Sequence, residues 1–156
     1  MNRLHVHVGV TDISSSVDFY SGLFGASPDV REEDYAKWLL DDPSLNFAIS
    51  TRCGTPGIDH LGIQCEDEVE LNEAAERLAH VGRPMIRQEN ASCCYATGQK
   101  VWISDPQGVT WETFRTTGET TNFGEDSIDM ADLEPQSSGT LVKNRFDVTD
   151  LEPMPS

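Results

Sequence analysis

The 156-residue chain carries 27 acidic and 11 basic side chains, a formal net charge of −16, which argues against nucleic acid and anionic membrane surfaces as partners. Its length predicts one domain, large enough to bury a core without staples. Nine of the acidic residues fall in 117–156, where only Lys143 and Arg145 are basic, so an acidic, weakly folding tail is expected behind a domain spanning 1–116.

The N-terminal residues have no charged region followed by a long apolar run, and no later run is long enough to cross a membrane. A soluble cytoplasmic protein is therefore expected, with its four cysteines as thiols.

Leu4-His5-Val6-His7-Val8-Gly9-Val10 alternates as a strand with His5 and His7 on one face. Residues 12–25 read as a helix: Asp12 and the serines offer N-caps, Val17, Tyr20 and Phe24 have helical spacing, and Gly25 is a stop. Short strands are expected near 29–33, 35–41 and 45–51. The pattern then restarts. Asp59-His60-Leu61-Gly62-Ile63-Gln64-Cys65 is a second histidine-bearing strand, and 67–81 a helix with an apolar stripe of Val69, Leu71, Ala74, Ala75 and Leu78. Strands follow near 84–89, 99–104 and 109–115, with Asp105-Pro106-Gln107-Gly108 a turn between the last two. Each half is thus βαβββ, which suggests two modules, about 1–52 and 57–116, sharing one sheet or one cleft.

The paired modules, Phe19-Tyr20 with Leu23-Phe24-Gly25 closing the first helix, and Asp105-Pro106-Gln107-Gly108 before Trp111-Glu112 resemble the vicinal oxygen chelate superfamily. That group includes glyoxalase I, extradiol dioxygenases, fosfomycin-resistance enzymes and bleomycin-binding proteins. The resemblance covers 1–116 and implies an α+β fold whose two modules form a cupped mixed sheet; it does not select a reaction. In the superfamily the first and last strands of each module present metal ligands. Carried over, His5, His60 and Glu112 fall on three of those four positions. The fourth, around Leu45-Asn46-Phe47-Ala48-Ile49, has no Glu, His or Gln, a departure from a glyoxalase-type site. Two imidazoles and one carboxylate match the facial triad of non-haem Fe(II) oxygenases, which leaves places for O2 and substrate. His7 is read as a group supporting His5, with ligation as its alternative, and His80 as a solvated or helix-terminal cation.

Cys93 and Cys94 are adjacent in the polar stretch 90–98. Side chains of neighbours in an extended chain point to opposite faces, so a tight loop must bend to bring both sulfurs onto one target. Two thiolates suit a soft centre such as trivalent arsenic. A monosubstituted trivalent arsenical keeps one carbon bond and two exchangeable positions, which two thiolates fill. Together with His5, His60 and Glu112, the pair resembles the organoarsenical C–As lyases of this superfamily, a group close to proteins called cadmium-induced. The resemblance implies an Fe(II)-dependent dioxygenase, with O2 as co-substrate, that cleaves the carbon–arsenic bond of methyl or aromatic trivalent arsenicals to arsenite. In it Cys93 and Cys94 hold arsenic while His5, His60 and Glu112 hold iron. The alternatives are an extradiol ring-cleaving dioxygenase using the same triad, and a non-catalytic cadmium- or arsenic-binding protein. Trp102, Trp111, Phe47 and Tyr95 leave aromatic substrates open, Cys65 reads as core, Cys53 is unassigned, and the protein is expected to be a monomer or homodimer.

Overall fold

A computed structural model describes residues 1–125 and 128–134. The acidic tail reads as a solubilising segment, with docking of Leu141, Val142, Phe146 and Val148 on the body as its alternative; these residues, and the echo of Asp132-Leu133-Glu134-Pro135 at 150–153, lie wholly or partly outside the described residues. Two compact units divide between Gln64 and Cys65, so the strand that opens the second sequence repeat belongs to the first unit.

In the first unit the elements are β1 (Arg3–Gly9), α1 (Ile13–Phe24), β2 (Val30–Arg31), β3 (Tyr35–Asp41), β4 (Ser44–Ser50) and β5 (Gly57–Gln64). Strand β2 is shorter than the expected 29–33. The sheet runs β2-β3-β4-β1-β5, with β1 parallel to β4 and antiparallel to β5. Helix α1 starts where the Asp12 carboxylate accepts the Ser15 N–H (2.7 Å) and ends at Gly25, whose φ of 66° suits a residue without a Cβ. Its Ile13 and Val17 pack with Ala36, Trp38, Phe47 and Ile49, and half-buried Val6 and Val8 join this core from β1. Because strand side chains alternate, β1 turns its valines to the α1 core and His5 and His7 to the opposite face, where both are also buried. Phe47, considered above as a substrate contact, belongs to the core, 4.5 Å from Tyr20 between ring centres.

The second unit comprises α2 (Glu68–Ala79), β6 (Met85–Cys93), β7 (Ala96–Ser104), β8 (Thr110–Glu119) and a 3-10 turn at Met130–Leu133. Its three strands form an antiparallel meander. Asp67 caps α2 by accepting the Glu70 N–H (2.9 Å), and the Glu70 carboxylate accepts the Glu66 N–H. The buried stripe is Leu71, Ala74, Ala75 and Ala79, whereas Val69 is exposed. Val69 lies two residues from Leu71, about 200° around the helix, so it cannot share that face. The Asp105 carboxylate accepts the Gln107 and Val109 N–H groups (2.9 Å each) and shapes the expected turn into β8. Trp111 donates to the same carboxylate, and Trp102 donates to Gln88.

Two expectations change here. Residues 90–98 were read as a loop, but β6 and β7 run through them and leave only Cys94 and Tyr95 as the turn. Register shifts between Gln88 and Ala91 and between Thr97 and Gly98 interrupt the alternation that would have revealed the strands. The tail boundary at 116 also moves, because β8 continues to Glu119 and Leu133 is buried on this unit. Among the described residues, no helix is long and apolar enough to cross a membrane.

Candidate functional site

The buried face of β1 and β5 is built from imidazoles. His7 lies directly opposite His60 in the antiparallel register, and His5 lies opposite Gly62. The His5 and His60 Nε2 atoms are 3.2 Å apart.

Their tautomers follow from their other nitrogens. His5 Nδ1 donates to the Asn46 backbone oxygen (3.1 Å) and side-chain oxygen (3.2 Å), both acceptors only; the Asn46 amide nitrogen is engaged by Gln64 Oε1 (2.9 Å). His60 Nδ1 donates to the Asp59 carboxylate (2.7 Å). Each neutral ring then presents a lone pair on Nε2, and the two lone pairs face one another. Facing lone pairs repel unless a cation or a shared proton lies between them. Two nitrogens at this separation, each about 2.1 Å from one ion, subtend roughly 100° there, a normal ligand angle. The residues therefore fit a divalent metal, with Asn46 and Asp59 setting ring orientation. His7 joins them: the donor atoms of His5, His7 and His60 all lie within 4.8 Å of one another.

Asp59, Asn46 and Cys53 were not among the predicted site residues, yet each supports this cluster. Hydrogen bonding to His60 holds the Asp59 carboxyl below its usual range against the opposing effect of burial, and the Cys53 thiol adds a hydrogen bond. Gly9 lets this loop come close, since a Cβ there would meet Thr55 O at 2.5 Å and the Cys53 Cβ at 2.9 Å. Replacing Asp59 with Asn is expected to weaken metal binding about 10- to 100-fold, which calorimetric titration would read. An unchanged affinity would remove Asp59 from the site.

The second unit gathers Cys93, Cys94, Lys100 and Glu112. Cys94 and Tyr95 have φ of 60° and 61°, the left-handed pair that type I′ hairpin turns require and that Asn and Gly usually supply. A residue with a Cβ costs about 1–2 kcal/mol in that region, so Cys-Tyr is an expensive choice for a hairpin. What it achieves is proximity: the two sulfurs sit 2.9 Å apart, as thiols not joined in a disulfide. Hydrogen bonding to Cys93, then burial, push the Cys94 thiol well up, and Lys100 acts in the opposite sense. The start of the tail braces the turn. Thr120 N–H donates to Tyr95 O (3.0 Å), Tyr95 N–H to Phe123 O (3.4 Å), and the two rings meet edge to face.

Lys100 is a further residue that the sequence did not single out. On β7 it is diagonal to Glu112 of β8, and its Nζ lies 2.6 Å from Glu112 Oε1, with the Glu112 side chain buried and that of Lys100 partly buried. The ammonium also faces the Trp102 and Phe114 rings at 5.6 and 5.9 Å. Burial alone would lower its pKa, but Glu112, with Cys93 and Cys94, holds it raised. One cation thus serves the carboxylate and both thiols. Lys100→Met, which removes the counter-charge from a buried carboxylate, is expected to cost about 3 kcal/mol in urea denaturation, and a second change, Glu112→Gln, should restore much of the loss. Equal stability of wild type and the single variant would contradict that coupling.

Residues 3–113 match the family model of the Glyoxalase/Bleomycin resistance protein/Dioxygenase superfamily. The chain belongs to that superfamily. It is 44% identical over 119 residues to a trivalent organoarsenical cleaving enzyme of Bacillus sp. (strain MD1), covering 74% of each chain. A protein of the same description from Thermomonospora curvata is 32% identical over 142 residues, 90% of this chain and 93% of that one. The cadmium-induced protein CadI of Mycobacterium tuberculosis (strain ATCC 25618 / H37Rv) is 31% identical over 125 residues, 80% of this chain and 82% of its own. Among solved structures, homoprotocatechuate 2,3-dioxygenase of Arthrobacter globiformis has a TM-score of 0.55 at 16% identity, covering 76% of this chain and 37% of that one. This last likeness shows the superfamily fold alone.

Proposed function

We propose that this superfamily member is an Fe(II)-dependent dioxygenase that cleaves the carbon–arsenic bond of trivalent organoarsenicals, with His5, His60 and Glu112 as metal ligands and Cys93 and Cys94 as the arsenic clamp. The observation that carries the reading is the thiol turn: two sulfurs 2.9 Å apart, that of Cys93 at the end of β6 and that of Cys94 on the left-handed pair Cys94-Tyr95, in a chain similar to organoarsenical cleaving enzymes.

Each residue has a chemical task. Cys93 and Cys94 displace the two hydroxyls of the arsenical, which leave with the thiol protons as two waters, so that arsenic keeps its carbon as the remaining substituent. Lys100 offsets negative charge as the thiols become thiolates. Fixing the arsenic in this way turns a chance encounter into a nearly unimolecular step. Asn46 and Asp59 keep the His5 and His60 lone pairs directed at the ion. Bound there, Fe(II) supplies the electrons that activate O2.

The overall reaction balances without another reductant: CH3As(OH)2 and O2 give As(OH)3 and HCHO. The carbon–arsenic bond breaks, the carbon loses four electrons, O2 gains them, and arsenic stays trivalent. Arsenic speciation tests the reading. Fe(II)-loaded protein in air is expected to convert methylarsenite to arsenite, and metal-free protein to leave it intact. Cleavage of a catechol ring, unaffected by loss of the thiols, would point instead to an extradiol dioxygenase. Thiol-dependent binding of arsenic without arsenite release would mark a binding protein.

A further inference from the structure

We propose that His7 is a third imidazole ligand, so that His5, His7 and His60 hold the metal as an all-nitrogen set within residues 1–64; this rests on the metal reading above and extends it.

His7 is as buried as its two companions, at 4% exposure against 5% for His5 and 7% for His60. It shares the His5 face of β1 and stands opposite His60 across the β1–β5 ladder. The His60 ring centre is 4.9 Å from that of His7 and 5.2 Å from that of His5, so His60 is the common neighbour of both. Nitrogens about 2.1 Å from one ion stand roughly 3.0 Å apart at a right angle and at most about 4.2 Å apart when they lie opposite one another. The three donors already lie within 4.8 Å, and a side-chain adjustment below about 1 Å closes the set on one ion. The ladder fixes the backbones from which all three rings project, so little ordering remains for the metal to impose. Asp59, whose carboxylate accepts the His60 Nδ1–H at 2.7 Å, provides a nearby negative charge for a cation held by neutral rings.

In this arrangement three imidazoles from residues 1–64 retain the ion without help from Glu112. An octahedral ion held by three rings keeps three exchangeable positions.

Full-length wild type and the His7→Gln and Glu112→Gln variants, loaded with Co(II), would be compared by calorimetric affinity and by imidazole count from X-ray absorption. The count is essential, because a merely supporting histidine also costs affinity when lost. The expected result is three imidazoles in wild type and in Glu112→Gln. His7→Gln should show two, with affinity lowered at least about tenfold and an unchanged melting temperature of the metal-free protein; His7→Ala provides the same comparison should the Gln variant fold poorly. Two imidazoles in wild type, unchanged in His7→Gln, would overturn the proposal while leaving a His5/His60 centre in place. Undiminished Co(II) affinity in both His5→Ala and His60→Ala would overturn the metal reading itself.

Discussion

Fe(II) affinity of His60→Ala is expected to fall by more than about 100-fold, beyond the 10- to 100-fold range of residues that only orient a ligand. His60 is central to the cluster in three ways. Its Nε2 faces His5 at 3.2 Å, its ring lies against His7, and its Nδ1 anchors to Asp59. Alanine removes a donor and leaves the facing His5 lone pair with half of its metal-binding geometry. The metal-free fold should survive, because the core against α1 occupies the other face of the sheet. Circular dichroism of the metal-free variant would establish that, and calorimetry with Fe(II) under anaerobic conditions would give the affinity. Retention of wild-type affinity would sink the centre.

The second large effect concerns the thiols. Cys93→Ser and Cys94→Ser are each expected to reduce methylarsenite turnover by at least about 100-fold, since a single remaining sulfur forfeits the intramolecular advantage of the second. Metal affinity should change little in both variants, which separates substrate capture from metal binding. The turn should also persist, because its shape comes from φ at Cys94 and Tyr95 and from the bonds to Thr120 and Phe123. Full turnover by both serine variants would remove the clamp from the account, whatever happened to the metal.

How far the sequence disclosed all this depends on the kind of signal each residue carries. The two βαβββ repeats were legible because apolar periodicity and turn residues are local properties, and His5, His60 and Glu112 stood out by their places in those repeats. Lys100 did not, because a lysine in a strand reads as a solvated edge until the diagonal pairing with Glu112 is known. Asn46 and Asp59 were hidden for a related reason: their work is to fix a tautomer on another residue, and nothing in their own neighbourhood announces it. The thiol turn was half legible. Adjacency of Cys93 and Cys94 signalled a shared target, but the bulged strands on either side broke the period-two pattern and made a hairpin look like a loop. His7 was visible and read mainly as support for His5; only the register opposite His60 shows how closely the three rings approach.

The central claim joins a metal to a thiol clamp in one oxidative reaction, and oxygen stoichiometry tests it most directly. Fe(II)-loaded protein and methylarsenite would be mixed anaerobically, oxygen admitted, and O2 uptake followed with arsenite and formaldehyde release. The account predicts one O2 consumed for each arsenite formed, with matching formaldehyde and neither product from metal-free protein. Arsenite released at the same rate without O2 or without metal would contradict it.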